Sequence, residues 1–456
     1  EKVIFQKRLL TACIFILAGV CALIVNIGYL QITQHDKYSK ASLNNRILTT
    51  SLTPARGLIY DRNQVLLTNA RSVYSLQLIK ENASNVRQGI KKITSLINFT
   101  PYETDRIKSL LQKYIRPFSP IVIKYQLTQQ EAAILAVNLH KLPGFTIQAE
   151  TVRHYPYAEI GAHVLGYIGL LNQQELDTLK GNSNYRGSQY IGKIGLEKLY
   201  EEQLHGITGK QQIEVNARGK VLNRFTRTAP VAGKNLSLYL DVKLQSLAYN
   251  LLNKRKGAVV AIEPNTGGIL AMVSNPSFNP NLFIANTNQV QLKKLITHHD
   301  KPLFNRATDG QYPPASTIKP FIAIAGLDSN TIDADEFLDD PGWYKLAGET
   351  RVYHDWKKLG HGKVNLVKAL TESCDTYFYE LGLRLGIVKM RKYLTIFGFG
   401  EKHSTDINII SSGLLPSKQW KLNNQYSAWV KGDNLNTAIG QGFLLVTPLQ
   451  LATATA

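Results

Sequence analysis

Cysteine is scarce in this sequence: Cys13, Cys21 and Cys374 are all there is in 456 residues. That excludes a small scaffold stapled by disulfides. Acidic residues are also few, 33 Asp and Glu against 53 Lys and Arg, for a formal charge of +20. Such a surplus suits a polyanion: nucleic acid, anionic lipid or an acidic wall polymer. Long apolar runs are missing with one exception, and a mean hydropathy of −0.14 excludes a polytopic membrane protein. No internal repeat or low-complexity tract occurs. What remains, 44% hydrophobic and 19% charged, is ordinary globular composition with length for two or three domains.

The exception is Leu9–Leu30, LLTACIFILAGVCALIVNIGYL, which carries no charge and follows Lys2, Lys7 and Arg8. A helix of these 22 residues, at about 1.5 Å each, crosses a hydrocarbon core of about 30 Å. The cations ahead of it place the N-terminus in the cytoplasm and export the rest. A cleaved signal peptide would want a shorter run and an Ala-x-Ala-like site, which Asn26–Leu30 does not offer. The expectation is a single-pass anchor in the inner (cytoplasmic) membrane with everything beyond it periplasmic. Export removes nucleic acid from the partners and leaves the lipid bilayer and wall polymers. Cys13 and Cys21 then lie inside the span as small apolar residues. Cys374, the one exported thiol, is buried, reactive or a metal ligand. Because the chain opens on Glu1 rather than Met, its natural start is expected to lie further upstream.

Three segments follow from texture: 1–32, a cytoplasmic stub and anchor; 33–235, polar and irregular; and 236–456, where buried-strand and helical patterns set in. In the second, Ile90, Ile93, Leu96 and Ile97, then Ile107, Leu110 and Leu111, stand at helical spacings broken near Pro101. Around them are glycine-punctuated stretches at Arg56–Asn63, Gly161–Gly169 and Gly192–Glu201. His154 and His163 are isolated, so this part reads as a scaffold without catalytic constellation. In the third, Gly257–Glu263 and Ile269–Val273 flank a Pro-Asn-Thr-Gly-Gly turn, which predicts a β-hairpin. Helical patterns follow it, so the fold class is α+β, with helices on an antiparallel sheet.

Chemistry concentrates in Tyr312-Pro313-Pro314-Ala315-Ser316-Thr317-Ile318-Lys319. The prolines stop what precedes, Ser316 opens a helix, and Lys319 falls on the same face one turn later. A serine nucleophile needs an adjacent base. Burial and the positive helix end both push a lysine toward the neutral amine, and that helix end also favours an oxyanion. The S-x-x-K spacing alone is common, and a capping serine beside a solvated lysine reads the same. Further on, Ser373-Cys374-Asp375 sits between two helical patterns, a second serine and a short acid able to relay a proton and hold a substrate amide.

With both motifs in place the sequence resembles the penicillin-binding transpeptidases and serine β-lactamases, whose first signatures are S-x-x-K and S-x-N/D. Asn305-Arg306-Ala307, Gly310–Ser316, Gly440-Gln441-Gly442 and Thr447-Pro448 are similar to class B high-molecular-weight members, and the three glycine-punctuated stretches to their non-catalytic dimer, or pedestal, module. His354–Gly362, HDWKKLGHG, narrows the resemblance to the penicillin-binding protein 2 branch that serves rod elongation. It implies an N-terminal transmembrane helix, an elongated α+β pedestal and a transpeptidase domain. It further implies a D,D-transpeptidase that cross-links peptidoglycan stem peptides ending in D-Ala-D-Ala and is a target of β-lactams. In that reading Ser316 is the nucleophile, Lys319 its base, and Ser373 and Asp375 relay protons and position substrate. A membrane-embedded glycan polymerase of the elongation complex is the implied partner. The rivals are a hydrolytic carboxypeptidase or β-lactamase, a septal transpeptidase, and a non-catalytic penicillin-binding receptor or scaffold. The third family signature, K-[ST]-G, is absent, and the pattern stops in mid-helix at Ala456. The expectation is a C-terminally truncated domain, poorly acylated without its edge strand.

Asp340, Asp355, His361 and Cys374 form a second constellation, two carboxylates, an imidazole and a thiol, which suits tetrahedral zinc. Residue types leave open that Asp339 or His354 replaces a neighbour, or that Cys374 is an inert buried residue beside solvated acids. The resemblance implies one structural zinc on these four.

Overall fold

The computed structural model describes residues 2–36, 38, 47–112, 120–179, 181–185, 187–216, 221–284, 289–402, 406–407 and 411–456. Helix α1, Lys2–Gly28, runs on through a π-turn at Tyr29–Thr33. Its apolar stretch, Ala12–Thr33, has a mean hydropathy of 2.4, and none of it is buried against protein. An all-apolar helix with no protein around it finds its apolar surroundings in lipid, so it fits a single-pass anchor.

The segment that reads as irregular is in fact built on sheets. Strands β1 (Ile47–Leu52), β8 (Gly209–Val215) and β9 (Val221–Thr228) make an antiparallel sheet in the order β1-β8-β9. A second sheet joins β2 (Ile59–Tyr60), β3 (Leu66–Leu78), β4 (Ile121–Leu127), β5 (Phe145–His154) and β10 (Leu236–Ser237). The pattern is hard to read because β3 is exposed at its middle and β5 buries residues only at its two ends, so apolar alternation shows only there. The expected helices do form, α2 (Val86–Leu96) and α3 (Pro101–Gln112), with the break at Pro101. Proline is tolerated there because a first-turn N–H has no intrahelical partner. Ile93, Ile97 and Ile107 bury against Leu76, Leu78, Ile121 and Phe145.

The first and third glycine-punctuated stretches meet Arg153 and Tyr155 in one ion cluster, and the second reaches it through the Ile168 N–H, which donates to Tyr155 Oη at 3.1 Å. Glu197 is fully buried and accepts from Arg56 Nε at 2.7 Å, Arg153 Nε at 2.7 Å and Tyr155 Oη at 3.2 Å. Glu201 accepts from Arg56 Nη2 at 2.7 Å and from the Gly192 N–H at 2.8 Å. Gly192 leaves room for this, since a Cβ there would meet the Glu197 carbonyl oxygen at 2.0 Å.

Beyond Ser237 the expected hairpin is β11 (Gly257–Glu263) with β12 (Gly268–Asn275), paired from Gly257↔Asn275 to Glu263↔Gly268. Helix α4 (Val242–Leu252) packs on β12. The helices expected beside this antiparallel hairpin make up most of the rest. The main core lies between helices α5 (Lys319–Asp328), α7 (Asp375–Ile396) and α8 (Lys431–Ala438), through Phe321, Ile322, Tyr377, Phe378, Leu381 and Leu435. Helices α7 and α8 cross closely, for a Cβ at Gly382 would stand 2.5 Å from that of Ala438. The pedestal and this half are joined by directional contacts: Tyr155 and Asn281 exchange two 3.0 Å hydrogen bonds, and Gln245 Nε2 donates to Ile160 O at 2.7 Å. His163 stands edge-on to Phe278 at 5.1 Å.

Candidate active site

Ser316 sits in a 3₁₀ turn, Ala315–Ile318, that runs directly into α5, rather than opening the α-helix itself. The effect on spacing is the same, because three residues per turn eclipse positions i and i+3. Ser316 is exposed and Lys319 only 2% exposed. The turn is strained: Ala315 adopts φ +50°, a left-handed conformation that costs a residue with a Cβ roughly 1–2 kcal/mol.

What holds it is the Gly440-Gln441-Gly442 turn. The Ala315 N–H donates to Gly440 O at 2.9 Å, and a Cβ on Gly440 would lie 2.1 Å from the Ala315 carbonyl oxygen. Tyr312 and Val446 add a reciprocal pair of 2.9 Å backbone bonds, and Leu449 N–H donates to Ala307 O. In the sequence the glycines and the Thr447-Pro448 pair stand only as family marks, and this buttressing is a contact of the fold. The signal was there, since a Gly-x-Gly before Thr-Pro marks a tight turn.

Lys319 Nζ donates to Asp375 Oδ1 at 2.7 Å, to Ser373 O at 2.8 Å and to Ser373 Oγ at 3.2 Å, and lies 5.3 Å from the centre of the Phe378 ring. Lys319, Ser373 and Asp375 are thus brought together, with Ser316 one turn before the lysine, and one feature differs from expectation. The lysine was weighed against burial and the helix end alone, whereas a carboxylate faces it here. Among the described residues, none hydrogen-bonds Ser316 Oγ. Ser373, at φ +53°, occupies the sharp turn between helix α6 (Leu366–Thr371) and α7, which is how both its carbonyl and hydroxyl reach Lys319.

Directly behind that turn lie Asp340, Asp355, His361 and Cys374, all buried, with one candidate ligand atom from each within 4.8 Å of all the others. Asp339 and His354 are exposed, which removes them as substitutes. The acids are not solvated either: Asp340 Oδ2 lies 2.6 Å from His361 Nδ1 and 3.4 Å from Cys374 Sγ, and Asp355 Oδ1 3.8 Å from His361 Nδ1. Asp355 Oδ2 accepts from the Asp375 and Thr376 N–H groups at 2.7 and 3.1 Å, capping α7. Burial, with the charges of Asp340 and Asp355, pushes the Cys374 thiol up. Burial opposes the Asp340 carboxylate, but bonds from His361 and Gly342 overcome it and hold that group below its usual range. Among the described residues no Lys or Arg pairs with Asp340 or Asp355, and His361 Nε2 is buried with no hydrogen-bond partner, the Glu372 Oε2 standing 3.7 Å away. Two buried carboxylates that face one imidazole and no Lys or Arg among the described residues suit a bound cation. Donor spacings of a few ångströms suit metal bonds of about 2.0–2.3 Å, so the set fits zinc. A second grouping, His298, His299 and Asp300, is largely exposed, and Asp300 already pairs with Lys256.

Comparison with known proteins agrees with this layout. The penicillin-binding protein dimerisation domain matches residues 51–238, and the penicillin binding protein transpeptidase domain residues 257–456. Over its whole length the chain is 42% identical to the peptidoglycan D,D-transpeptidase MrdA of Acinetobacter baumannii, covering 68% of that relative. It is 37% identical to MrdA of Escherichia coli K12, again over all of this chain, covering 72% of that protein. Helicobacter pylori PBP2, solved in complex with MreC, superposes with a TM-score of 0.78 at 32% identity, over 89% of this chain and 76% of that one. Pseudomonas aeruginosa PBP2 in complex with WCK 5153 gives 0.66 at 33% identity, over 90% and 69%. A dimerisation domain followed by a transpeptidase domain, with full-length relatives of the same kind, makes this chain a member of the penicillin-binding protein family.

Proposed function

We propose that the chain is a membrane-anchored peptidoglycan D,D-transpeptidase of the elongation type, working through an acyl-enzyme on Ser316. The observation that carries this is an exposed Ser316 on a strained turn, one turn before a buried Lys319 that is bonded to Ser373 and Asp375. Ser316 Oγ bonds to the carbonyl carbon of the penultimate D-Ala, the bond to terminal D-Ala nitrogen breaks, and the serine proton ends on that leaving amine. An acceptor amine then attacks the ester, and its proton returns to Ser316. Lys319 takes and returns the proton, with Ser373 bridging toward the leaving group and Asp375 holding the lysine in place. β-Lactams would acylate the same serine. Lys2, Lys7 and Arg8 before the span support a cytoplasmic N-terminus and a periplasmic catalytic domain. A membrane-embedded glycan polymerase fits as partner through anchor and pedestal, and the MreC complex of the H. pylori relative supports a second protein partner for this chain. The experiment is to incubate membranes containing the protein with a fluorescent penicillin. Label is expected on the Ser316 peptide alone, and label surviving Ser316→Ala would overturn the assignment.

We further infer that Asp340, Asp355, His361 and Cys374 hold one zinc ion. Four protein ligands leave no position for an activated water, so the ion's role when bound is structural, as a tie on the Ser373–Asp375 turn. Elemental analysis is expected to find stoichiometric zinc, lost with a fall in melting temperature on His361→Ala or Cys374→Ala. A metal-free protein in which Cys374→Ala costs only the roughly 1–2 kcal/mol of a small cavity would remove it.

A further inference from the structure

We infer that the end of the β1-β8-β9 sheet nearest the anchor rests on the anionic surface of the lipid bilayer, through strand β9. This builds on the reading of α1 as a membrane anchor. The strand, Val-Leu-Asn-Arg-Phe-Thr-Arg-Thr, forms an edge of its sheet. Val221 is 43%, Leu222 52% and Phe225 51% exposed, and Arg224 and Arg227 are exposed between and beside them. Large apolar side chains on a free strand edge are an aggregation hazard unless something covers them. Apolar groups interleaved with cations are the composition that settles at a headgroup boundary, where the apolar groups enter and each cation meets negative potential.

Register decides where this strand faces. Ile47 pairs with Glu214, and Val215 with Val221. The point where the chain arrives from the anchor and the start of β9 therefore lie at the same end of the sheet. Only thirteen residues lie between Thr33, the end of the span, and Ile47. Fully extended, that connection reaches at most about 50 Å, which bounds how far this end of the sheet can stand from the bilayer. The acid at this end, Glu214, accepts from Asn223 Nδ2 at 2.7 Å and keeps its charge, so one carboxylate stands against the two exposed arginines of β9. A protein could also cover an apolar edge, but the interleaved arginines and the short tether favour lipid.

The test is hydrogen–deuterium exchange on the protein carrying α1, in nanodiscs of phosphatidylcholine alone or mixed equally with phosphatidylglycerol. Exchange of the 221–228 peptide is expected to slow several-fold in the anionic discs. That protection should be lost in Arg224→Glu/Arg227→Glu and in Leu222→Ser/Phe225→Ser, while β3 and β5 exchange as before. Equal exchange in the two lipids, or protection that survives both variants, would overturn the inference and leave a protein as the cover. Failure of the protein to enter discs at all, with α1 exchanging freely, would instead defeat the anchor reading.

Discussion

Two clusters of buried charge in this molecule use the same residue types to opposite ends. In the pedestal, Arg56, Arg153, Glu197 and Glu201 join three stretches of chain, and no exposed nucleophile lies among their partners. In the transpeptidase domain, Lys319 and Asp375 also pair at 2.7 Å, yet Ser373 bonds the lysine and the exposed Ser316 lies one turn before it, with φ +53° at Ser373 and +50° at Ala315. A buried ion pair is therefore no mark of catalysis by itself. Access and stored backbone strain separate the two.

The comparison can be broken most severely at Gly440. Gly440→Ala would drive a methyl group into the Ala315 carbonyl, displacing the Ser316 turn. Misplacing a nucleophile by about 1 Å can cost two orders of magnitude, so acylation by fluorescent penicillin is expected to fall at least ~100-fold. The pedestal's unfolding transition should stay where it is. Acylation at the parent rate would show that the turn holds itself.

The reciprocal change is Glu197→Ala, which strands Arg56 and Arg153 in the interior. Breaking a buried pair from one side costs roughly 3–5 kcal/mol, expected as a lowered unfolding midpoint of the pedestal. Acylation measured below that midpoint should change less than about twofold. A large loss of acylation in a still-folded protein would mean that the two clusters communicate.

The smallest effect lies between them, at His163. Burial lowers this histidine from 6.5 to about 4, so it is neutral in the folded protein at pH 7. As pH falls through 6.5 the unfolded chain binds the proton first, and stability is lost until about pH 4, by up to about 3 kcal/mol over the window. His163→Gln should flatten that slope, seen as a pH-dependent difference in melting temperature between variant and parent. A difference constant from pH 7 to 4 would refute it.

Local signals carried much of this architecture. The anchor, the Pro101 helix break, the β11–β12 hairpin and the S-x-x-K spacing each rest on residues close in sequence, where periodicity and turn chemistry act directly. The pedestal sheets were not legible, because β3 finds its partners far along the chain: Asn69 pairs with His154 and Gln77 with Val122. Nor was the carboxylate opposite Lys319, though both residues had been singled out. Their separation of 56 positions is closed only by the packing of α5 on α7.

By itself, then, the sequence determined which residue types were available and where the chain turns: a serine three residues before a lysine, a Ser-Cys-Asp turn, four metal-binding donors and one apolar helix. Tertiary structure alone decided which of these touch. It buried Asp340 and Asp355 but not Asp339 or His354, set Gly440 beneath Ala315, and turned Glu197 inward to two arginines. The physical reason is that burial and contact between distant segments depend on how helices and sheets pack, and no local pattern encodes the depth at which a side chain comes to rest.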